Sequence, residues 1–87
     1  MLMRIKEAYG RGVIEGVIWE VQSPLSPSAH RIKYRLVYVV DGIRVVGYDN
    51  ERGKGDHKHI RGAELAYAYS DVATLLRDFL HDVREAE

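Results

Sequence analysis

The clearest alternation of apolar and polar positions lies in the middle of the chain. Two alternating runs, 30–40 and 43–49, flank the dipeptide Asp41-Gly42, which favours a two-residue type I′ turn. The pattern therefore predicts a β-hairpin, and a two-residue turn would place Tyr34 opposite Asp49. Alternation then assigns one face of the hairpin to the core, namely Ile32, Tyr34, Leu36, Tyr38, Val40, Ile43 and Val45.

Two further strands are predicted before this hairpin. Residues 1–9 form the first, and the glycines at 10 and 12 mark a turn before the second, at 13–22. The segment SPLSPS at 23–28 is a loop, because prolines this close together disfavour both a helix interior and a central strand.

The C-terminal part of the chain has the spacing of a helix. Residues 64–69 alternate as a short strand, and Ser70 is then the expected N-cap. One helix stripe is apolar: Val72, Leu75, Leu76, Phe79, Leu80 and Val83. The other face is expected to meet solvent: Arg77, Asp78, His81, Asp82 and Glu85. The sequence thus predicts one α+β domain, residues 1–87, with an antiparallel meander of four to five strands and one amphipathic C-terminal helix packed on one face.

Charge and composition narrow the classes of function. Thirteen basic residues balance thirteen acidic ones, so binding to nucleic acid would need a local basic patch; the middle of the chain is its basic part. The absence of cysteine excludes disulfides, thiolate metal sites and a cysteine nucleophile. No signal-peptide pattern and no apolar run of about 20 residues occurs, so we expect a cytoplasmic protein without membrane contact.

The segment YDNERGKGDHKH, residues 48–59, concentrates ionisable side chains after the predicted hairpin. It holds six charged residues, two glycines and two of the four histidines. One interpretation is a solvated connection, in which the glycines permit turns and the charges keep the loop wet. Because the predicted register places Tyr48 opposite Arg35, the segment would leave the sheet at a basic, aromatic end.

A metal site is a second interpretation of this segment. Its oxygen and imidazole donors are Asp49, Asp56, His57 and His59. His-x-His alone supplies two ligands where catalytic sites use about three, and the charges of Lys58 and Arg61 would repel an ion. We therefore expect neither a metal nor a cofactor.

A phosphodiester-cleaving site is a third interpretation. Metal-independent cleavage of RNA needs a base, an acid and cations, and His57 and His59 could serve as the first two. Asp49 or Asp56 could orient a histidine. The candidate nucleic-acid-binding residues are cations and stacking tyrosines: Lys33, Arg35, Lys54, Lys58, Arg61, Tyr34 and Tyr48.

The same segment carries a family resemblance. YDN at 48–50, GKGDH at 53–57 and His59 follow one another in a short span. With Trp19, the basic tyrosine-bearing strand 31–38 and the Arg77-Asp78-Phe79 run, they make the chain resemble the TumE-type family of small toxins from prokaryotic toxin–antitoxin pairs. The resemblance implies a helix-turn-helix antitoxin as partner.

Together these observations predict a toxin-like protein that acts on RNA, by metal-independent phosphodiester cleavage at His57 and His59. Whether it is an enzyme, a possible endoribonuclease, stays open. The alternative is a non-catalytic module that binds an antitoxin or a nucleic acid. An exposed sheet edge could also pair two copies, so a homodimer is a further possibility.

Overall fold

The computed structural model describes residues 1–86. Six strands follow one another in space as they do in sequence, so the sheet is an antiparallel meander, and one helix follows the last strand. The elements are β1 (Met3–Tyr9), β2 (Gly12–Glu20), β3 (Ile32–Val40), β4 (Ile43–Glu51), β5 (Gly55–Ile60), β6 (Ala63–Ala66) and α1 (Val72–Glu85). The predicted α+β class, meander topology and C-terminal helix are confirmed.

The sheet has six strands rather than the predicted four to five, because the segment 48–59 is a hairpin and not a loop. β4 continues to Glu51 and β5 begins at Gly55. The tight turn between them uses the positive φ angles of Gly53 (90°) and Gly55 (77°). β5 was missed because its side chains are largely polar on both faces, so it lacks the apolar alternation that marks a strand.

A β-bulge changes the predicted register of the β3–β4 hairpin. Val39 pairs with Arg44 but Tyr38 pairs with Val46, which leaves Val45 as an extra residue in β4. Beyond the bulge every β4 side chain changes face. Val46 and Tyr48 are therefore buried in the core, while the predicted Val45 is only partly buried against it and the predicted Ile43 is 67% exposed. Arg35 pairs with Asp49 instead of Tyr48.

The core lies between one face of the sheet and α1. We call this the covered face and the opposite one the open face. The predicted core residues of β3 are confirmed, since Tyr34, Leu36 and Tyr38 are all buried. The largest buried contributions to this layer are Ile14, Ile18, Tyr34, Leu36, Tyr38, Val46, Tyr48, Leu75, Phe79 and Val83.

The helix begins one residue later than predicted. Asp71, not Ser70, is the N-cap, and its carboxylate accepts a hydrogen bond from the backbone N–H of Thr74 at 2.7 Å. That bond lowers the pKa of Asp71. A carboxylate also suits the positive end of the helix dipole better than a hydroxyl does. No helix in the described part of the chain has both the length and the apolar composition needed to cross a membrane.

Two acidic residues of α1 that were expected to face solvent instead hold the helix to the sheet. Tyr67 donates to Asp78 Oδ2 at 2.7 Å. The hydroxyl of Tyr48 and the ammonium of Lys58 both donate to Asp82 Oδ2, the latter at 3.1 Å. Burial, and then the bond to the Asp82 carboxylate, raises the pKa of Tyr48. The polar side of the helix is thus a second docking contact.

Pairing aligns the open-face residues into rows that cross the whole sheet. Each member of a row pairs with the next on the neighbouring strand. One row reads Arg4, Val17, Arg35, Asp49, His57 and Ala66. The adjacent row reads Lys6, Glu15, Val37, Gly47, His59 and Glu64.

Candidate functional site

Three side chains converge on the open face, and we call Asp49, His57 and His59 the open-face cluster. Asp49 comes from β4 and pairs with His57 of β5, and strand alternation places His59 on the same side as His57. One donor atom of each residue lies within 4.8 Å of the others. The structure therefore unites three of the four predicted catalytic residues.

The imidazole of His57 is fixed at both nitrogens. Nδ1 lies 3.0 Å from the carbonyl oxygen of Gly55, and a carbonyl can only accept, so Nδ1 carries a proton. Nε2 lies against Asp49 Oδ1. His57 and Asp49 are only 5% and 8% exposed, and within residues 1–86 this Oδ1 forms no hydrogen bond. A neutral His57 would thus turn a lone pair toward a buried, unbonded carboxylate oxygen.

His59 is the more accessible histidine of the cluster. Its side chain is 15% exposed, and Nε2 lies 3.5 Å from Glu64 Oε1. Burial lowers the pKa of His59, and the charges of Arg44 and His57 lower it further. A neutral imidazole at physiological pH is suited to accept a proton.

Arginines flank the open-face cluster. Arg35 pairs with Asp49 in the same row, and two strand spacings separate its Cα from that of His57, about 10 Å, which an arginine side chain can largely span. Lys33 lies further along β3 and donates to the backbone oxygen of Asn50. Arg44 was not predicted as a site residue, although its side chain lies over Gly47 beside the cluster. Strand alternation had already assigned Arg44 to the basic face of the predicted hairpin, and this was the signal that could have identified it.

The other predicted nucleic-acid-binding residues do not join the cluster. Tyr34 and Tyr48 lie on the covered face and are 0% and 1% exposed, so neither ring presents a surface to a base. Lys58 also lies on that face, bonded to Asp82. Arg61 donates to the backbone oxygen of Ala86 at 2.8 Å, and Lys54 reaches only the edge of the cluster, where it pairs at 3.1 Å with the Glu64 oxygen that faces His59.

Asp56, the fourth predicted catalytic residue, belongs to a separate group on the covered face. We call Ser28, His30, Tyr34 and Asp56 the Asp56 cluster. The carboxylate lies at hydrogen-bond distance from the other three polar atoms: Ser28 Oγ at 2.9 Å, His30 Nε2 at 2.9 Å and Tyr34 OH at 2.7 Å. This places Asp56 away from the two cluster histidines, since adjacent residues of a strand point to opposite faces.

His30 completes the Asp56 cluster and was not foreseen as a site residue. Its Nδ1 lies 3.2 Å from the backbone N–H of Ile32 and can only accept there, so Nε2 carries the proton that Asp56 accepts. The ring of Tyr69 stacks on it with centroids 3.9 Å apart. No local pattern signals this contact, because His30 and Asp56 are 26 residues apart in sequence.

The comparison with known families agrees with the resemblance drawn from the YDN and GKGDH motifs. Residues 3–87 match the family described as toxin TumE. The chain belongs to the TumE toxin family. No curated protein and no solved structure matches it. Residue roles in this TumE-family toxin therefore rest on its own geometry, while its membership implies an antitoxin partner.

Proposed function

We propose that this TumE-family toxin acts on RNA and cleaves phosphodiester bonds at the open-face cluster. The observation that carries the proposal is the single row in which Arg35, Asp49 and His57 follow one another, with His59 in the row beside them. A phosphate held by an arginine there would lie next to imidazole and carboxylate groups. Those are the group types that cleavage of a phosphodiester requires.

The proposed reaction begins at the ribose 2′-hydroxyl. His59 accepts its proton, the 2′ oxygen forms a bond to phosphorus, and the bond from phosphorus to the 5′ oxygen breaks. The leaving 5′ oxygen then takes a proton. Arg35 and Arg44 neutralise the charge that develops on the non-bridging oxygens.

In the metal-independent form of the reaction, we assign the acid to His57. Asp49 would stabilise the His57 imidazolium and orient its ring. Since both ring nitrogens are engaged, His57 can protonate a leaving group only after one of these contacts opens. Of the other predicted site residues, we assign Asp56, Tyr34, Tyr48 and Lys58 to holding the fold, and Lys33 to the phosphate path.

The second candidate is a binding module without catalysis, favoured by the low exposure of His57. In that case the basic open face docks a helix-turn-helix antitoxin or a nucleic acid, and the histidines serve only as hydrogen-bonding groups. The outer strands of the sheet are β1 and β6, and either could pair with a second copy to form a homodimer.

The two candidates differ in one assay. Purified wild type, His59→Ala and the control His81→Ala, which changes an exposed helix residue, are incubated with mixed single-stranded RNA, with and without EDTA. We expect His59→Ala to lose cleavage by about 100-fold or more, the usual contribution of a general base, while His81→Ala keeps it. Absence of cleavage by wild type over a wide range of concentration would favour the binding module.

The EDTA arm separates the mechanisms. Cleavage that survives EDTA supports the metal-independent form, with His57 as the acid. Cleavage that disappears in EDTA and returns with one divalent ion replaces that form with a metal-assisted one. Either result keeps RNA as the substrate.

A further inference from the structure

The contact between Asp49 and His57 presents two acceptors to each other in a buried place. The bond from Nδ1 to the Gly55 carbonyl fixes the ring proton at Nδ1. In the neutral ring, Nε2 carries no proton and is a hydrogen-bond acceptor, and it faces Asp49 Oδ1, which is also an acceptor. Two acceptors in contact need a positive centre near both, either a proton or a metal ion.

We propose that Asp49, His57 and His59 bind a first-row divalent metal ion of the Zn²⁺ type. Two imidazoles and one carboxylate form a common ligand set for such an ion in catalytic sites. Three protein ligands also leave a coordination position for a water molecule or a phosphate oxygen.

The hydrogen bond of His57 to Gly55 is the outer contact that a metal-binding histidine usually has. Histidine ligands commonly donate their second ring nitrogen to a backbone carbonyl, which fixes the tautomer and aims the free nitrogen at the metal. The positive φ of Gly55, 77°, belongs to the tight turn that brings its carbonyl under the ring. The β4–β5 hairpin thus prepares His57 as a ligand.

The donor atoms lie at distances that a metal ion can bridge. Ligands about 2.0–2.1 Å from a tetrahedral ion lie about 3.3 Å from one another. The three donor atoms of the cluster are all within 4.8 Å of each other. Rotation of these side chains could therefore place all three donor atoms around one ion.

The two cations that argued against a metal in the sequence lie elsewhere in the fold. Lys58 projects to the covered face and bonds Asp82 at 3.1 Å. Arg61 reaches the backbone oxygen of Ala86 at 2.8 Å. The charges closest to the cluster are Arg44, whose side chain lies over Gly47, and Glu64, whose carboxylate is 3.5 Å from His59. Glu64 is also paired with Lys54 at 3.1 Å, so it offsets only part of the positive charge that Arg44 and Lys54 bring.

The site deepens the proposed function by selecting its metal-assisted form: with an ion bound, the ring nitrogens of His57 and His59 would be ligands and would not serve as acid and base. A divalent ion polarises a phosphoryl oxygen and can lower the pKa of a bound water. Binding of the ion is nevertheless tested without RNA, so the result of that test is independent of the cleavage assay.

The test measures metal binding by the full chain. Metal-free protein is titrated with Co²⁺, an optical substitute for Zn²⁺, and the visible absorption of the complex reports coordination; elemental analysis after dialysis against Zn²⁺ gives the ratio of metal to protein. We expect about one ion per chain for wild type. Asp49→Asn and His59→Gln should bind at least 10-fold more weakly, a conservative bound since changing an outer contact alone costs 10–100-fold.

The controls keep the test falsifiable. His81→Ala removes an exposed histidine and His30→Ala a half-buried one outside the cluster, and both should bind like wild type. Circular dichroism verifies folding, and His59→Gln preserves side-chain volume at a partly exposed position. The inference is overturned if folded wild type binds no ion, or if His59→Gln and Asp49→Asn bind as tightly as His81→Ala.

The two proposals fail in different ways. Stoichiometric metal binding without cleavage of RNA would support the metal site and contradict the proposed nuclease activity. Cleavage by a chain that binds no Zn²⁺ or Co²⁺ would do the reverse.

Discussion

The two faces of the sheet each carry a histidine–aspartate pair, and the pairs differ in how fully their polar atoms are bonded. On the covered face, Asp56 lies within hydrogen-bond distance of Ser28, His30 and Tyr34. On the open face, Asp49 Oδ1 is buried beside His57 without a hydrogen bond. Asp56 and His57 are neighbours in the chain, so one peptide unit separates the two environments.

The comparison teaches that residue type alone does not mark a functional pair. A carboxylate with three donors has its acceptor capacity largely used, which stabilises the structure and leaves little for a ligand. A buried carboxylate oxygen that lacks a donor costs free energy unless something else supplies the positive partner. We therefore infer a structural role for the covered pair and take the open pair as the candidate site.

The largest expected effect concerns alkaline pH and the covered face. Burial, followed by bonds to Asp56 and Asp82, raises the pKa of Tyr34 and of Tyr48 above the ordinary value. Their contribution to stability is complete below the unfolded-state pKa of about 10 and is lost as pH rises above it. The free energy of unfolding should fall by about 1.4 kcal/mol per pH unit for each tyrosine.

Urea titrations between pH 8 and 11 measure this fall. Tyr48→Phe cannot ionise at that position, so its slope should be smaller than that of wild type by one tyrosine. An unchanged slope would show that Tyr48 ionises as easily in the folded chain as in the unfolded one, and would contradict its burial and its hydrogen bond to Asp82.

The next effect comes from removing the acceptor of the covered pair. Asp56→Ala leaves Ser28, His30 and Tyr34 without the carboxylate, and we expect a loss of about 1–3 kcal/mol in the free energy of unfolding. Folded Asp56→Ala should keep its Co²⁺ affinity. Tyr34→Phe is the matched control, because it removes one donor from the group and should cost about 1 kcal/mol. A weakened Co²⁺ site in folded Asp56→Ala would break the division between the faces.

The smallest effect on stability is expected on the open face. Arg35 is exposed, so Arg35→Ala should change the free energy of unfolding by no more than about 0.5 kcal/mol. Binding of single-stranded RNA should weaken, and the slope of its dependence on salt should decrease by about one phosphate contact. Arg77→Ala, an exposed change on the helix, should alter neither quantity. Equal salt slopes for Arg35→Ala and wild type would exclude Arg35 from the phosphate path.

Local patterns predicted the elements that have apolar alternation. The β3–β4 hairpin and α1 were foreseen because Tyr34, Leu36 and Tyr38 repeat every second residue and Leu75, Phe79 and Val83 repeat at helical spacing. β5 was missed because a strand with imidazoles on one face and charges on the other resembles a polar loop. Its strand character shows in its pairing with β4, which apolar alternation within the segment does not reveal.

The site was predicted in part, for a related reason. Strand alternation correctly predicted that His57 and His59 share a face, and their proximity in sequence to Asp49 correctly predicted that Asp49 lies with them. It also added Asp56, Lys58 and Tyr48, which the sheet turns to the other face. Once β5 is paired, a period of two sorts these residues into two sets, but the sequence alone did not show that the segment is a strand.

The extra residue Val45 in β4 has a consequence for how genetic change can affect this toxin. Loss of that one codon would remove the bulge and leave the pairing on either side of it intact, with Arg44 opposite Val39 and Val46 opposite Tyr38, so Tyr48 would stay in the apolar layer and Asp49 on the open face. A substitution at the same position alters one side chain only. Inheritance of the open-face chemistry therefore does not depend on this extra residue: in-frame deletion of Val45 should be tolerated, whereas one residue inserted between Val46 and Tyr48 would exchange the faces of Tyr48 and Asp49.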